Sequence, residues 1–155
     1  MKQYTLLFLV RKGEILLALK KRGFGQGKWN GVGGKVEPGE TLEQAAVREC
    51  QEEIGVTPQQ FELVAINDFL YPDKDIQGHV YICSKWQGEP VETEEMKPRW
   101  FKLGDIPYDK MWQDDTMWLP FVLTGKHVRC SFTFDSGDNI CAADIEMVSF
   151  PKESE

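Results

Sequence analysis

Between Gly33 and Gly55 the chain reads GGKVEPGETLEQAAVRECQEEIG, a glycine-rich turn followed by a crowd of glutamates. On a helix, Glu49, Glu52 and Glu53 stand at i, i+3 and i+4 and share one face. Followed backwards, that stripe continues through Ala46, Ala45 and Leu42, so it is expected to turn toward protein. Like charges at this spacing repel by roughly a few tenths of a kcal/mol per pair when exposed, and burial raises at least one of their pKa values. Two circumstances make such crowding tolerable: full solvation of an acidic helix face, or bound cations. Hard divalent ions, Mg²⁺ above all, take oxygen ligands of this kind together with substrate phosphates. Arg48, four residues before Glu52, can pair with it and orient it.

The elements around the stretch decide what it faces. Tyr4–Val10 and Glu14–Lys21 are apolar runs joined by RKG and predict a hairpin. Residues 22–39 predict a long functional loop. TLEQ predicts a capping box with Thr41 as N-cap and Gln44 three residues on, and Gly55 then closes the helix ahead of Pro58. Further strands are expected over Phe61–Tyr71, His79–Trp86 and Arg99–Leu103. A second helix is expected over Asp115–Leu123, where Pro120 weakens the pattern or places a kink. The segments RCSFTFD and CAADIEMVSF around SGDN predict a last hairpin. This order lacks the regular alternation of a Rossmann fold and predicts an α/β domain with a mixed sheet between helices.

The 155 residues suit a single domain spanning 1–155, and a monomer is expected. The formal charge of −7 argues against a broad contact with a nucleic-acid polymer. Its one basic cluster, KKRGFGQGK, also fits a solvated turn. Cys50, Cys83, Cys130 and Cys141 lack C-x-x-C spacing and have only His79 and His127 to join them, so reduced thiols of a cytoplasmic protein are expected rather than a zinc site. YTLLFLV runs directly into Arg11 and Lys12 and reads as a strand rather than a signal peptide. No apolar stretch reaches membrane-spanning length, so no membrane partner is expected.

Read as a whole, GKVEPGETLEQAAVRECQEEIGV resembles the Nudix box, G-x5-E-x7-R-E-U-x-E-E-x-G-U, where U is bulky and aliphatic. Gly34, Glu40, Arg48, Glu49, Glu52, Glu53 and Gly55 fill the fixed positions, and Val56 fills the second U. Cys50 in the first U slot is a mild departure, a small hydrophobe in an aliphatic place. The resemblance implies the Nudix fold and hydrolysis of a nucleoside diphosphate linked to another group, with Mg²⁺ or Mn²⁺ as cofactor. It implies Glu49, Glu52, Glu53 and the Gly33 carbonyl as metal ligands. Glu52 or Glu53 would help deprotonate water, Arg48 would orient carboxylates, and Glu40 would hold the loop. Metals of this kind neutralise phosphate oxygens and acidify water, which lets an acidic protein bind a polyanion.

The flanking segments KKRGFGQGKWNGVGGKV, ETEEMKPRWF and IPYDKMWQDDTMW are similar to the animal-type MutT homologues, which remove oxidised purine nucleoside triphosphates such as 8-oxo-dGTP and 2-hydroxy-dATP. That resemblance implies release of the monophosphate and pyrophosphate. It makes Glu95 a further metal ligand and Lys20 a fixed charge near the phosphates. It gives substrate-binding positions to Thr5, Phe24, Asn30, Gly33, Gly34, Lys35, Phe69, Trp112, Asp114, Asp115 and Trp118. The residue chemistry suits a purine: Trp112 and Trp118 offer stacking faces, and Asn30 both donates and accepts. Adjacent Asp114 and Asp115 resist joint ionisation, so one that keeps its proton gives the pair both a donor and an acceptor; alternatively the pair serves as a helix N-cap. Rival expectations are a Nudix pyrophosphohydrolase for unmodified or alkylated purine triphosphates, dinucleoside polyphosphates or a pterin triphosphate, and a non-catalytic nucleotide- or RNA-binding module.

Overall fold

The computed structural model describes residues 1–151. Strands β1 (Lys2–Arg11), β2 (Glu14–Lys20) and β3 (Trp29–Asn30) precede helix α1 (Leu42–Ile54). Then come β4 (Thr57–Leu70), β5 (Asp75–Gln87), β6 (Met96–Lys102), α2 (Asp115–Leu123), β7 (His127–Phe134) and β8 (Ile140–Val148). The strands form one eight-stranded sheet in the order β3-β2-β1-β5-β4-β7-β8, with β6 paired to β2. The β1–β5 and β4–β7 pairs are parallel and the others antiparallel, so the sheet is mixed as expected.

Alternation along β1 shows why its run is apolar throughout. Leu7 and Leu9 pack with Ala46, Cys50 and Ile54 of α1 on one face. Phe8 packs with Trp118, Leu119 and Val122 of α2 on the other. A strand covered on both sides reads as a near-continuous apolar run, here Leu6–Val10. Hence one helix lies on each face of the sheet.

Three local features place the chemistry. In α1, Thr41 Oγ1 accepts from the Gln44 N–H at 3.1 Å and Gln44 Oε1 accepts from the Thr41 N–H at 2.9 Å, completing the capping box. Gly55 ends the helix in the left-handed region at φ 71°, a conformation that favours glycine. The third feature is a divergence of strands. β1 meets β2 only at Val10↔Ile15 and Arg11↔Glu14. Farther back along β1 its neighbour is instead the loop, through bridges Leu7↔Val32 and Tyr4↔Lys35. That bridge pattern lays the glycines of the turn beside Thr5.

Several strands start earlier than the sequence predicts: β4 at Thr57, β5 at Asp75 and β6 at Met96. Their opening residues mix polar and prolyl positions with single apolar ones and lack strand periodicity, and pairing with neighbours carries them into the sheet. β4 also shifts register against β5 at Pro58/Gln60, Gln60/Phe61 and Leu63/Ala65, which breaks the period of two. The expected loop over 22–39 contains β3. α2 keeps its expected bounds with Pro120 inside it.

Candidate active site

The carboxylates of α1 separate by burial. Glu53 is 2% exposed, the Glu49 side chain 16% and the Glu52 side chain 60%. The expected single protein-facing stripe therefore holds for Glu49 and Glu53 and not for Glu52. The loop covers the first two because it lies on that side of the helix. Glu53 Oε1 accepts the Gly33 N–H at 2.8 Å. Gly33 tolerates no side chain: a Cβ there would fall 1.8 Å from the Thr5 carbonyl oxygen. At Gly34 a Cβ would come within 2.5 Å of Glu49 Oε2.

Arg48 is the hub of the remaining charge. Its Nε and Nη2 donate to the two oxygens of Glu40 at 2.7 and 3.0 Å. Its Nη1 donates to Glu49 Oε1 at 2.6 Å and to Glu52 Oε2 at 3.3 Å, and Nη2 also reaches the Lys35 carbonyl at 3.2 Å. Two guanidinium bonds, with help from the Glu37 N–H that Oε1 accepts, pull the Glu40 pKa down to about 2. Glu40 thereby ties the loop before the helix to the helix itself. Burial raises Glu49, against the opposing pull of Arg48. Glu53 is pushed up to about 8 by burial and by the charges of Glu49 and Glu95, with only the Gly33 N–H and Lys20 acting the other way.

Among the described residues no three His, Cys, Asp or Glu side chains converge as a ready ion cage, because Arg48 holds Glu49 and Glu52. The donor set nevertheless suits a hard divalent ion. Glu49, Glu53 and Glu95 are carboxylates whose charges reach one another, and burial is the largest cause of the raised Glu53 pKa. The ladder beside β1 uses the Val32 and Gly34 carbonyls, which accept the Leu7 and Thr5 N–H groups at 2.7 and 2.9 Å, and passes over the Gly33 carbonyl. Glu95 lies 3.5 Å from Arg22 on the loop.

A cleft of about 430 Å³ opens on the α2 side of the sheet next to these carboxylates. Lys20, Gly33 and Gly34 line it, as do Asp114, Asp115 and Trp118 around the start of α2. Asp114 and Asp115 are 5% and 2% exposed. Asp114 Oδ2 accepts the Trp118 indole N–H at 2.8 Å, and Asp115 Oδ2 accepts the Trp112 backbone N–H at 3.0 Å. Burial raises both, and the charge of Asp114 raises Asp115 further. Neither carboxylate caps α2: its N-cap residue, Asp114, makes no side-chain cap bond. Asp114 nevertheless occupies the N-cap position and Asp115 the first turn, so the pair stands where a dipole partner of α2 would, without a side-chain cap bond.

Of the residues named from the sequence, Thr5, Lys20, Phe24, Asn30, Gly33, Gly34, Phe69, Trp112, Asp114, Asp115 and Trp118 line the cleft, and Lys35 does not. Trp118 is almost wholly buried and packs on Phe8 with ring centroids 6.4 Å apart, so its polar edge, more than its face, is what it offers Asp114. Trp112 is the more open ring, with Phe24 at 5.1 Å and Lys28 at 5.3 Å. Asn30 Oδ1 already accepts the Gly31 N–H at 2.8 Å. Sequence reasoning missed Tyr4, Lys28, Asn67, Tyr71, Lys74 and Gly78 on the cleft wall. Lys28 stood inside the basic cluster that also fits a solvated turn; Asn67 and its partner Gly78 follow from the β4–β5 register, which the bulges of β4 conceal, and Tyr71 and Lys74 lie in the connection between those strands. All four cysteines are free, three of them buried. Among the described residues no helix is long and apolar enough to cross a membrane.

A mixed sheet between two helices, with a loop–helix–loop of carboxylates beside a deep cleft, is the arrangement of a Nudix hydrolase. The NUDIX domain model matches residues 2–121, and the chain belongs to that family. Nudix hydrolases work with divalent metal ions. The chain is 41% identical over 149 residues to the oxidized purine nucleoside triphosphate hydrolase of Danio rerio, covering 95% of this chain and 96% of that protein. It is 38% identical over 147 residues to the protein of the same name from Mus musculus, covering 94% of each. In fold it is similar to the crystal structure of a MutT protein from Bacillus halodurans, at a TM-score of 0.84 and 22% identity over 94% of this chain and 98% of that one.

Proposed function

We propose that this protein hydrolyses oxidised purine nucleoside triphosphates, 8-oxo-dGTP and 2-hydroxy-dATP among them, to the nucleoside monophosphate and pyrophosphate, and so clears damaged precursors from the nucleotide pool. The observation that carries this is the cleft itself, which runs from a carboxylate-lined glycine turn to a buried, abutting aspartate pair. Relatives similar over nearly the whole chain bear the name of that activity.

On this reading Glu49, Glu53, Glu95 and the Gly33 carbonyl hold Mg²⁺, with Mn²⁺ able to replace it, and Glu52 approaches from the solvent side. When bound, the dication supplies charge neutralisation at the phosphate oxygens and a more acidic water. Arg48 keeps Glu49 and Glu52 oriented and does not itself enter the cleft. Lys20, whose charge already reaches Glu53, meets the phosphates. Glu53 or Glu52 takes the proton of the attacking water.

At the far end the base stacks on Trp112 under Phe24, and the Asn30 amide N–H donates to its edge. Asp114 and Asp115 share the remaining edge: the one that keeps its proton donates and the other accepts. Exchange of that proton lets the same pocket meet two differently oxidised purines.

A turnover panel of normal and damaged purine triphosphates in Mg²⁺ tests the substrate class. The oxidised purines should lead, with monophosphate and pyrophosphate as products. A preference for unmodified nucleotides, or release of orthophosphate and diphosphate, contradicts the proposal. Glu53→Gln should lose orders of magnitude in turnover with the fold intact.

A further inference from the structure

The floor of the cleft carries a polar group that the proposed function leaves unused. Asn67, on β4, is 1% exposed, and no protein donor meets its Oδ1. A buried acceptor without a partner costs free energy, so such groups are rare unless a ligand meets them. Asn67 lines the cleft with Phe69, two residues on along β4 and so on the same side of the strand, and with Tyr71 just beyond the strand's end.

Register places Asn67 at the base end. It sits opposite Gly78 on β5 and beside Cys130 on β7. The Cys130 thiol is pushed up to about 12 by burial and by the charge of Asp114, which fixes the aspartate pair close to this row. Tyr71, two positions beyond Phe69, feels the same Asp114 charge.

Gly78 explains how a ligand reaches Asn67. Nothing in its backbone demands glycine: it has no left-handed φ, and a Cβ there would make only ordinary contact, 3.5 Å from Phe69 Cε2 and 3.8 Å from the Asn67 carbonyl oxygen. Glycine inside a strand weakens it and often marks a place where a ligand comes close. What the missing side chain leaves is room beside the Phe69 ring and the Asn67 main-chain carbonyl.

We propose that Asn67 and Gly78 form a recognition recess for the purine base, in which Asn67 Oδ1 accepts a hydrogen bond from a base N–H and Gly78 admits the ring to that depth. The inference rests on the purine triphosphate reading above. It adds two specificity-determining residues to it.

The test uses 8-oxo-dGMP, which has no anhydride to cleave, titrated in magnesium buffer against wild type, Asn67→Leu and Gly78→Ala by tryptophan fluorescence. Urea midpoints are measured alongside. Asn67→Leu should bind about tenfold more weakly, the loss of one buried hydrogen bond, with its midpoint unchanged or higher because an unpartnered acceptor has become apolar. Gly78→Ala should keep its midpoint and weaken binding several-fold. Wild-type affinity in both variants overturns the inference, as does an Asn67→Leu that loses stability and keeps its affinity. If Asn67→Leu does not fold, Gly78→Ala decides alone. A wild type that neither binds 8-oxo-dGMP nor turns over 8-oxo-dGTP overturns the substrate reading as well; unchanged variants of an active wild type overturn this inference only.

Discussion

Replacing Asp115 by asparagine should make the protein more stable at neutral and alkaline pH while damaging its proposed recognition of the base. Burial and the neighbouring Asp114 raise the Asp115 pKa well above its ordinary 3.8. Between that ordinary value and the raised one, the folded chain keeps a proton that the unfolded chain has released. Stability therefore falls as pH rises through this window, by about 1.4 kcal/mol per pH unit for each proton held. Below 3.8 both states are protonated and the slope vanishes. With a urea m-value of about 2 kcal/mol per molar, one such proton moves the midpoint down by about 0.7 M per pH unit. Asparagine carries no such proton, yet its amide oxygen can still accept the Trp112 N–H that Asp115 Oδ2 accepts at 3.0 Å. Asp114 loses a like charge in the bargain, so the pair is best treated as one titrating unit. Glu53, raised to about 8, contributes its own slope in both proteins and cancels in the difference. Urea unfolding at a series of pH values from about 4 to 8 supplies the two curves. They should meet at the acid end and diverge upward, with Asp115→Asn the more stable and about one proton's slope apart. Parallel curves, or a variant destabilised at every pH, would refute the claim that the pair carries an uncompensated buried charge.

Other perturbations separate the parts of the site. Gly33→Ala forces a Cβ to within 1.8 Å of a backbone oxygen, which cannot yield as a side chain would. A loss of roughly 1–3 kcal/mol is expected in thermal or urea melts, with turnover lost beyond what unfolding explains. Trp118→Phe keeps an aromatic in the core but strips the 2.8 Å N–H bond from Asp114, so about 1–3 kcal/mol should disappear from the unfolding free energy and 8-oxo-dGMP affinity should fall with it. Dialysis against EDTA should abolish hydrolysis, and Mg²⁺ or Mn²⁺ should restore it; full turnover in chelator would contradict the metal proposal.

What could be read from the sequence was local. The capping box at Thr41 and Gln44, the glycine stop at position 55 and the acidic stripe all depend on residues within a turn or two of each other. The division of labour inside the stripe was not legible. Glu52 and Glu53 are neighbours in an acidic run, and periodicity alone treats 49, 52 and 53 alike. Only the loop folding back along β1 buries Glu53 and Glu49 and leaves Glu52 outside. Asn67 escaped notice for a related reason. Its side is set by strand parity, and the register shift between Leu63 and Ala65 resets that parity just ahead of it. Trp118 was legible as an aromatic near the aspartates but not as a buried one, because α2 is apolar nearly all round and gives no amphipathic stripe to read.

The two ends of the cleft share a physical design although their residues differ. Glu40, Glu49 and Glu52 are answered within the chain by Arg48. Glu53 is buried with one N–H bond and a distant lysine, and Asp114 and Asp115 are buried with one protein N–H bond each from tryptophans. A fold that needed these groups only for structure would gain by replacing them with apolar or amide side chains of similar size. Their presence makes sense if each deficit is filled on binding, by a dication at the phosphate end and by the hydrogen-bonding edge of a purine at the other. Stability withheld by these buried groups then returns as affinity for a ligand that supplies both. That is also why the variants expected to raise unfolding free energy at neutral pH, Asp115→Asn foremost, are those expected to bind the base least well.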